Sequence, residues 1–87
     1  MNSRGDDLDA VRSVVVRALA IELKASEDAI RAAQSLREEF GMDSIAAVNV
    51  AFVVEEEFSV EIEMREDDVF DSVEDMVVIV RRCLGLV

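Results

Sequence analysis

Apolar residues recur at three- and four-residue steps near both ends of this chain, and no proline interrupts it. Leu8, Val11, Val15, Ala18 and Leu19 form one such stripe, and Val73, Met76, Val77, Val80 and Leu84 form another. That period lays each set along one face of an α-helix. Helix faces of this kind must be buried against each other, so the expected fold class is all-α. Three Gly and 5% aromatic residues are too few turn and strand formers for a β-sandwich. With 87 residues there is room for one domain and one small core. An apolar fraction of 52% supports that core despite a net charge of -11.

Residues 1–5 are expected as a flexible tail, 6–84 as the domain and 85–87 as a C-terminal tail. Asp6, Asp7 and Asp9 crowd a helix start, where negative charge is favoured, and the first helix is expected over about residues 7–23. Ser26 offers a cap for a short turn through Ile30. The stretch onward to Phe40 reads as a long loop pinned by Ile30, Leu36 and Phe40; loops of that length are uncommon unless functional. The next helix runs from Ser44 to about Glu57 with Asp43 as its cap. Phe58, Val60 and Ile62 alternate with polar residues, but a lone strand has nothing to pair with, so an extended linker is expected. Met64–Val69 is expected as one short helical turn with Phe70 as an anchor. Ser72 and Asp75 resemble a capping box for the last helix, which Arg81, Arg82 and Gly85 close.

Residues 45–75 hold eleven acids and one base. That field repels nucleic acid and anionic membranes and draws basic protein surfaces. The longest apolar runs are too short for membrane insertion. A single cysteine cannot form an internal disulfide, and the N-terminus has no signal-peptide core, so a reducing cytoplasm is expected. Met1 and the short tails are read as those of a free-standing protein.

Catalytic apparatus is missing from the sequence. There is no histidine, which removes Ser-His-Asp and Cys-His chemistry. Asp67, Asp68, Asp71 and Asp75 lack the glycine and ligand spacing of a calcium loop, and no metal site is expected. Cys83 on an apolar helix reads as a small hydrophobe. What remains is Gly41-Met42-Asp43-Ser44-Ile45, which puts a serine hydroxyl in the first turn of a helix just after a glycine hinge. That helix end carries unpaired N–H groups and partial positive charge, and suits a phosphate. The helix behind it is apolar on almost every side, so some of Ile45, Val48 and Phe52 are expected to face solvent or a partner.

The pattern Ser35-Leu36, Phe40-Gly41-Met42-Asp43-Ser44-Ile45, Val50, Glu55-Glu56-Glu57-Phe58, Ile62, Phe70-Asp71-Ser72-Val73 resembles the acyl carrier protein family, over about residues 8–84. The resemblance implies a four-helix bundle of acyl-carrier type with a long first loop and a short third helix. It implies that Ser44 receives 4′-phosphopantetheine from coenzyme A through a phosphopantetheinyl transferase using magnesium, and that the arm's thiol then carries acyl groups as thioesters. It implies partner recognition by Asp43, Ile45, Val48, Phe52, Glu55, Glu56 and Asp68, and an acyl-accepting core lined by Val50, Val54, Ile62 and Phe70. The expected partners are that transferase and acyl-loading and acyl-processing enzymes with basic surfaces, met by a monomer that is itself no enzyme. Ile45 stands for the usual Leu and Glu63 for a frequent Pro. Ala46 and Asn49 stand where fatty-acid carriers commonly have acids, which points to a polyketide, hybrid or other specialised pathway. Two alternatives stand beside this: a peptidyl carrier, although those more often have His before the serine, and a non-carrier acidic helical interaction module.

Overall fold

The computed structural model describes residues 3–65, 68 and 70–85, with side chains from residue 10 onward. Five helices follow one another: α1 (Ser3–Leu23), α2 (Glu27–Ala32), α3 (Leu36–Phe40), α4 (Ser44–Phe58) and α5 (Val73–Leu84). No strand occurs among the described residues, so the all-helical expectation holds. The expected linker after Phe58 indeed has no regular structure from Val60 to Arg65. The expected short helical turn at Met64–Val69 includes residues 66, 67 and 69, which lie outside the described residues, as do 1, 2, 86 and 87. Within it, the Asp68 N–H donates to the Arg65 carbonyl at 3.1 Å, but Met64, Arg65 and Asp68 are themselves not helical.

α1 is the central element and packs against α2, α4 and α5. Three neighbours need a face wider than the stripe of Val11, Val15, Ala18 and Leu19, and Val14, Val16 and Ala20 are buried as well. The helix begins at Ser3, inside the stretch expected as tail. Once nucleated, a helix extends by one hydrogen bond per residue fixed, so Gly5 alone does not stop it. On α4 the buried set is Ala46, Ala47, Val50, Ala51 and Val54, one face at helical spacing. On α5 it is Val73, Met76, Val77, Ile79 and Val80. Burying this aliphatic set is the main stabilising term, about 25 cal/mol per Å² of apolar surface removed from water.

The long connection between α1 and α4 is not the irregular loop the sequence implied, since its second half folds as α3. Ser35 caps it, accepting from the Glu38 N–H at 3.2 Å, and Gly41 stops it. Glu39 reaches back to accept from the N–H groups of Gln34 and Ser35 at 2.8 and 3.2 Å. The decisive partner is distant in sequence. Asp71 accepts the Leu36 N–H on its carbonyl at 2.7 Å and the Arg37 N–H on its carboxylate at 2.9 Å. A five-residue helix is unstable alone and forms here because tertiary contacts supply its ends. Ser72 caps α5 as expected, accepting from the Asp75 N–H at 3.1 Å. The second half of the box differs, because the Asp75 carboxylate takes the Asp71 N–H at 3.0 Å.

Candidate functional site

Gly41 sets the approach to α4. It holds φ 70° at the end of α3, a left-handed conformation that L-side chains resist. A Cβ there would meet nothing within 4 Å, so the constraint is conformational rather than spatial. Met42 then plugs into the core at 4% exposure, and Asp43 extends the chain into the helix start. The Ala46 N–H donates to the Asp43 carboxylate at 2.9 Å, and the Ala47 N–H donates to the Asp43 carbonyl at 3.0 Å. The N–H groups of Ser44 and Ile45 precede those bonds and have no partner within the helix. Ser44, the first residue of α4, is exposed. Its hydroxyl therefore stands at the positive end of a helix of 15 residues.

A cleft of about 160 Å³ opens beside it, lined by Arg37, Met42, Asp43, Ser44 and Phe70. Its far wall comes from α3 and from the segment before α5, and Asp71 joins the two. Besides the Arg37 N–H, the Asp71 carboxylate accepts from the Ser35 hydroxyl at 3.0 and 2.9 Å. The Arg37 N–H, the Ser35 hydroxyl and the nearby Arg37 charge hold the Asp71 carboxyl below the usual carboxylate range, against a desolvation penalty.

The expected recognition residues divide into two groups. Ile45 at 71%, Val48 at 44% and Phe52 at 58% exposure lie on the face of α4 opposite the core. Asp43 and Glu56 are exposed with them. Glu55 and Asp68 are occupied instead. The Glu55 carboxylate accepts from the Ile62 N–H at 2.7 Å and ties the linker to α4. The Asp68 side chain is only 11% exposed. It takes both Arg82 guanidinium nitrogens at 3.0 Å and the Arg65 N–H at 2.7 Å. These bonds, the Arg82 one foremost, lower its pKa from 3.8 to about 2 despite partial desolvation. Sequence reading could not foresee either arrangement, because both depend on how the linker folds back.

Of the expected core lining, Val50, Val54 and Ile62 are buried. Phe70 is half-buried and borders the cleft beside Ser44, since the Asp71 hub holds its backbone at the rim. Ala46 is buried, so an acid is missing there from the core side of α4 rather than from its surface. Asn49 is on the surface and donates to Glu22 at 3.0 Å. Arg37, Ser35, Asp71 and Arg82 were not foreseen as parts of the site; the one sequence signal for them was the Asp71-Ser72 pair before the last helix. No group of metal-binding side chains is assembled among the described residues, and no described helix is long and apolar enough to cross a membrane.

With no histidine in the chain and the Asp43 carboxylate committed to the helix cap, the Ser44 hydroxyl is presented more than it is activated. Residues 9–77 match the family model described as the phosphopantetheine attachment site. Acyl carrier protein 3 of Ralstonia nicotianae is 30% identical over 78 residues, covering 90% of this chain and 85% of that protein. No solved structure matches the chain. On these matches the chain belongs to the acyl carrier protein family, whose members hold covalent 4′-phosphopantetheine and serve separate enzymes as carriers.

Proposed function

We propose that Ser44 is the attachment residue and that the domain over residues 6–84 carries acyl groups for a specialised, polyketide-like pathway. The observation that supports this most directly is an exposed serine hydroxyl at the start of α4, beside an open cleft. The residues present fit the arm. The positive helix end and the free N–H groups of Ser44 and Ile45 favour a phosphodiester, and Phe70 gives the cleft an apolar wall. Once attached, the arm supplies a terminal thiol that holds an acyl group as a thioester. Asp43 fixes the serine by capping the helix. Val50, Val54 and Ile62 are buried in the core and Phe70 packs against it, which supports a role in sheltering an acyl chain.

Ile45, Val48 and Phe52 form the docking face for the transferase and for acyl-loading and acyl-processing enzymes. Exposed apolar side chains in a row serve as anchors in such a face, and Glu56 adds the charge that steers a basic partner. Glu55 and Asp68 take a structural part, because their carboxylates are already bonded within the chain. Asn49 in place of an acid leaves the first turns of α4 with little charge beyond Asp43. That supports a partner set other than the common fatty-acid one. We take the protein to act as a monomer, its core closed by α1, α4 and α5, and as cytoplasmic, since its one cysteine cannot form an internal disulfide.

The test is an intact mass measured after incubation with coenzyme A, magnesium and a phosphopantetheinyl transferase. The wild type gains one phosphopantetheine. Ser44→Ala folds alike, since Ala suits a helix start's interior turn, and gains nothing. A gain that survives Ser44→Ala refutes the assignment.

A further inference from the structure

We propose that Arg37 is the counter-ion of the phosphodiester on Ser44, an inference that rests on the Ser44 reading above. Arg37 lines the same cleft as Ser44 and is exposed. Among the described residues its guanidinium makes no ion pair, which it shares with Lys24, Arg31 and Arg81; what sets it apart is its place on the cleft, where its charge is felt by the Asp71 carboxylate. Its backbone is fixed at both ends: the N–H donates to Asp71 at 2.9 Å, and the carbonyl accepts from the Gly41 N–H at 2.9 Å. A cationic head that no carboxylate bonds thus stands on a fixed backbone at the cleft.

The charge balance calls for such a cation. A phosphodiester brings one negative charge into a chain of net charge -11, beside the Asp43 carboxylate. Among the described residues, Arg37 is the only base lining that cleft. A guanidinium fork matches two phosphate oxygens, where an ammonium would act as a point charge. The Asp71–Ser35–Arg37 hub then acquires a purpose beyond stability, because it sets where that fork begins.

The experiment compares apo and holo protein by nuclear magnetic resonance, with intact mass taken on the same samples. In the wild type the Arg37 Nε–H signal moves when the arm is attached. The ³¹P resonance of the holo protein moves toward that of a free phosphodiester in Arg37→Gln and stays nearer the wild type in Arg37→Lys. Both differences shrink at about 1 M salt, where screening acts within about 3 Å. A full mass gain with either signal unmoved overturns the role of Arg37 and leaves Ser44 standing. A missing mass gain overturns the Ser44 assignment and this inference with it.

Discussion

Replacing Asp68 with Asn removes one negative charge from the clamp that holds the linker to α5. The wild-type carboxylate pairs with both Arg82 nitrogens and accepts from the Arg65 N–H. An amide at the same place keeps one acceptor and turns an NH₂ toward a donor. The fall in pKa from 3.8 to about 2 is linked to at most about 2 kcal/mol of folding stability. Arg82 is 31% exposed, and solvent screening reduces this to about 1–2 kcal/mol. The pH dependence follows from the sign. A carboxyl with a lowered folded pKa contributes fully above its unfolded value and loses the contribution as pH falls through the folded one. The gap between wild type and Asp68→Asn is therefore full at neutral pH, begins to close below about pH 4 and is nearly closed by about pH 2. Urea unfolding of both proteins at neutral pH and near pH 2 measures it, and taking the difference cancels the other carboxylates. A neutral-pH gap under about 0.5 kcal/mol, the ordinary range for a surface change, refutes the clamp. So does a gap of equal size at both pH values.

Three further outcomes follow from the same geometry. Gly41→Ala costs about 1 kcal/mol in urea unfolding, because the left-handed φ is strained for Ala although the space around it is open. Glu55→Gln costs about 1 kcal/mol through its weakened bond to the Ile62 N–H, while Glu56→Lys leaves unfolding unchanged and slows transferase association at low salt; equal kinetics for Glu56→Lys and wild type count against the steering role. Phe52→Ala changes stability by less than about 0.5 kcal/mol yet raises the transferase KM by an order of magnitude or so, and an unchanged KM removes Phe52 from the docking face.

Much of the architecture was legible in the residues. Leu8 lies outside the described side chains; the stripe on α1 from Val11 onward, the stripe on α5 and the caps at Ser26, Asp43 and Ser72 are local signals, and each was found in place. So was the outward-facing set Ile45, Val48 and Phe52, because a helix apolar on all sides cannot be wholly buried in so small a domain. α3 was not legible. Its five residues carry no periodic run, and the groups that satisfy its N-terminus come from Asp71, 36 positions after Ser35. Phe70 packs against the core as expected, and its further place at the rim of the cleft was not legible for a related reason: its side chain follows a backbone pinned by that hub.

Local periodicity and capping chemistry thus determined the longer helices α1, α4 and α5, their buried faces and the serine at the head of α4, because those features act between residues three or four apart. The tertiary structure alone decided which charges are free and which are spent. Glu55 and Glu56 are adjacent and identical in kind, yet one holds the linker and the other faces solvent. Arg37 and Arg82 are likewise the same residue, one outside any ion pair among the described residues and lining the cleft beside Ser44, the other locked to Asp68. That difference is made by segments folding back on one another, seven residues apart for Glu55 and Ile62 and fourteen for Asp68 and Arg82, and such pairings leave no periodic trace in the chain.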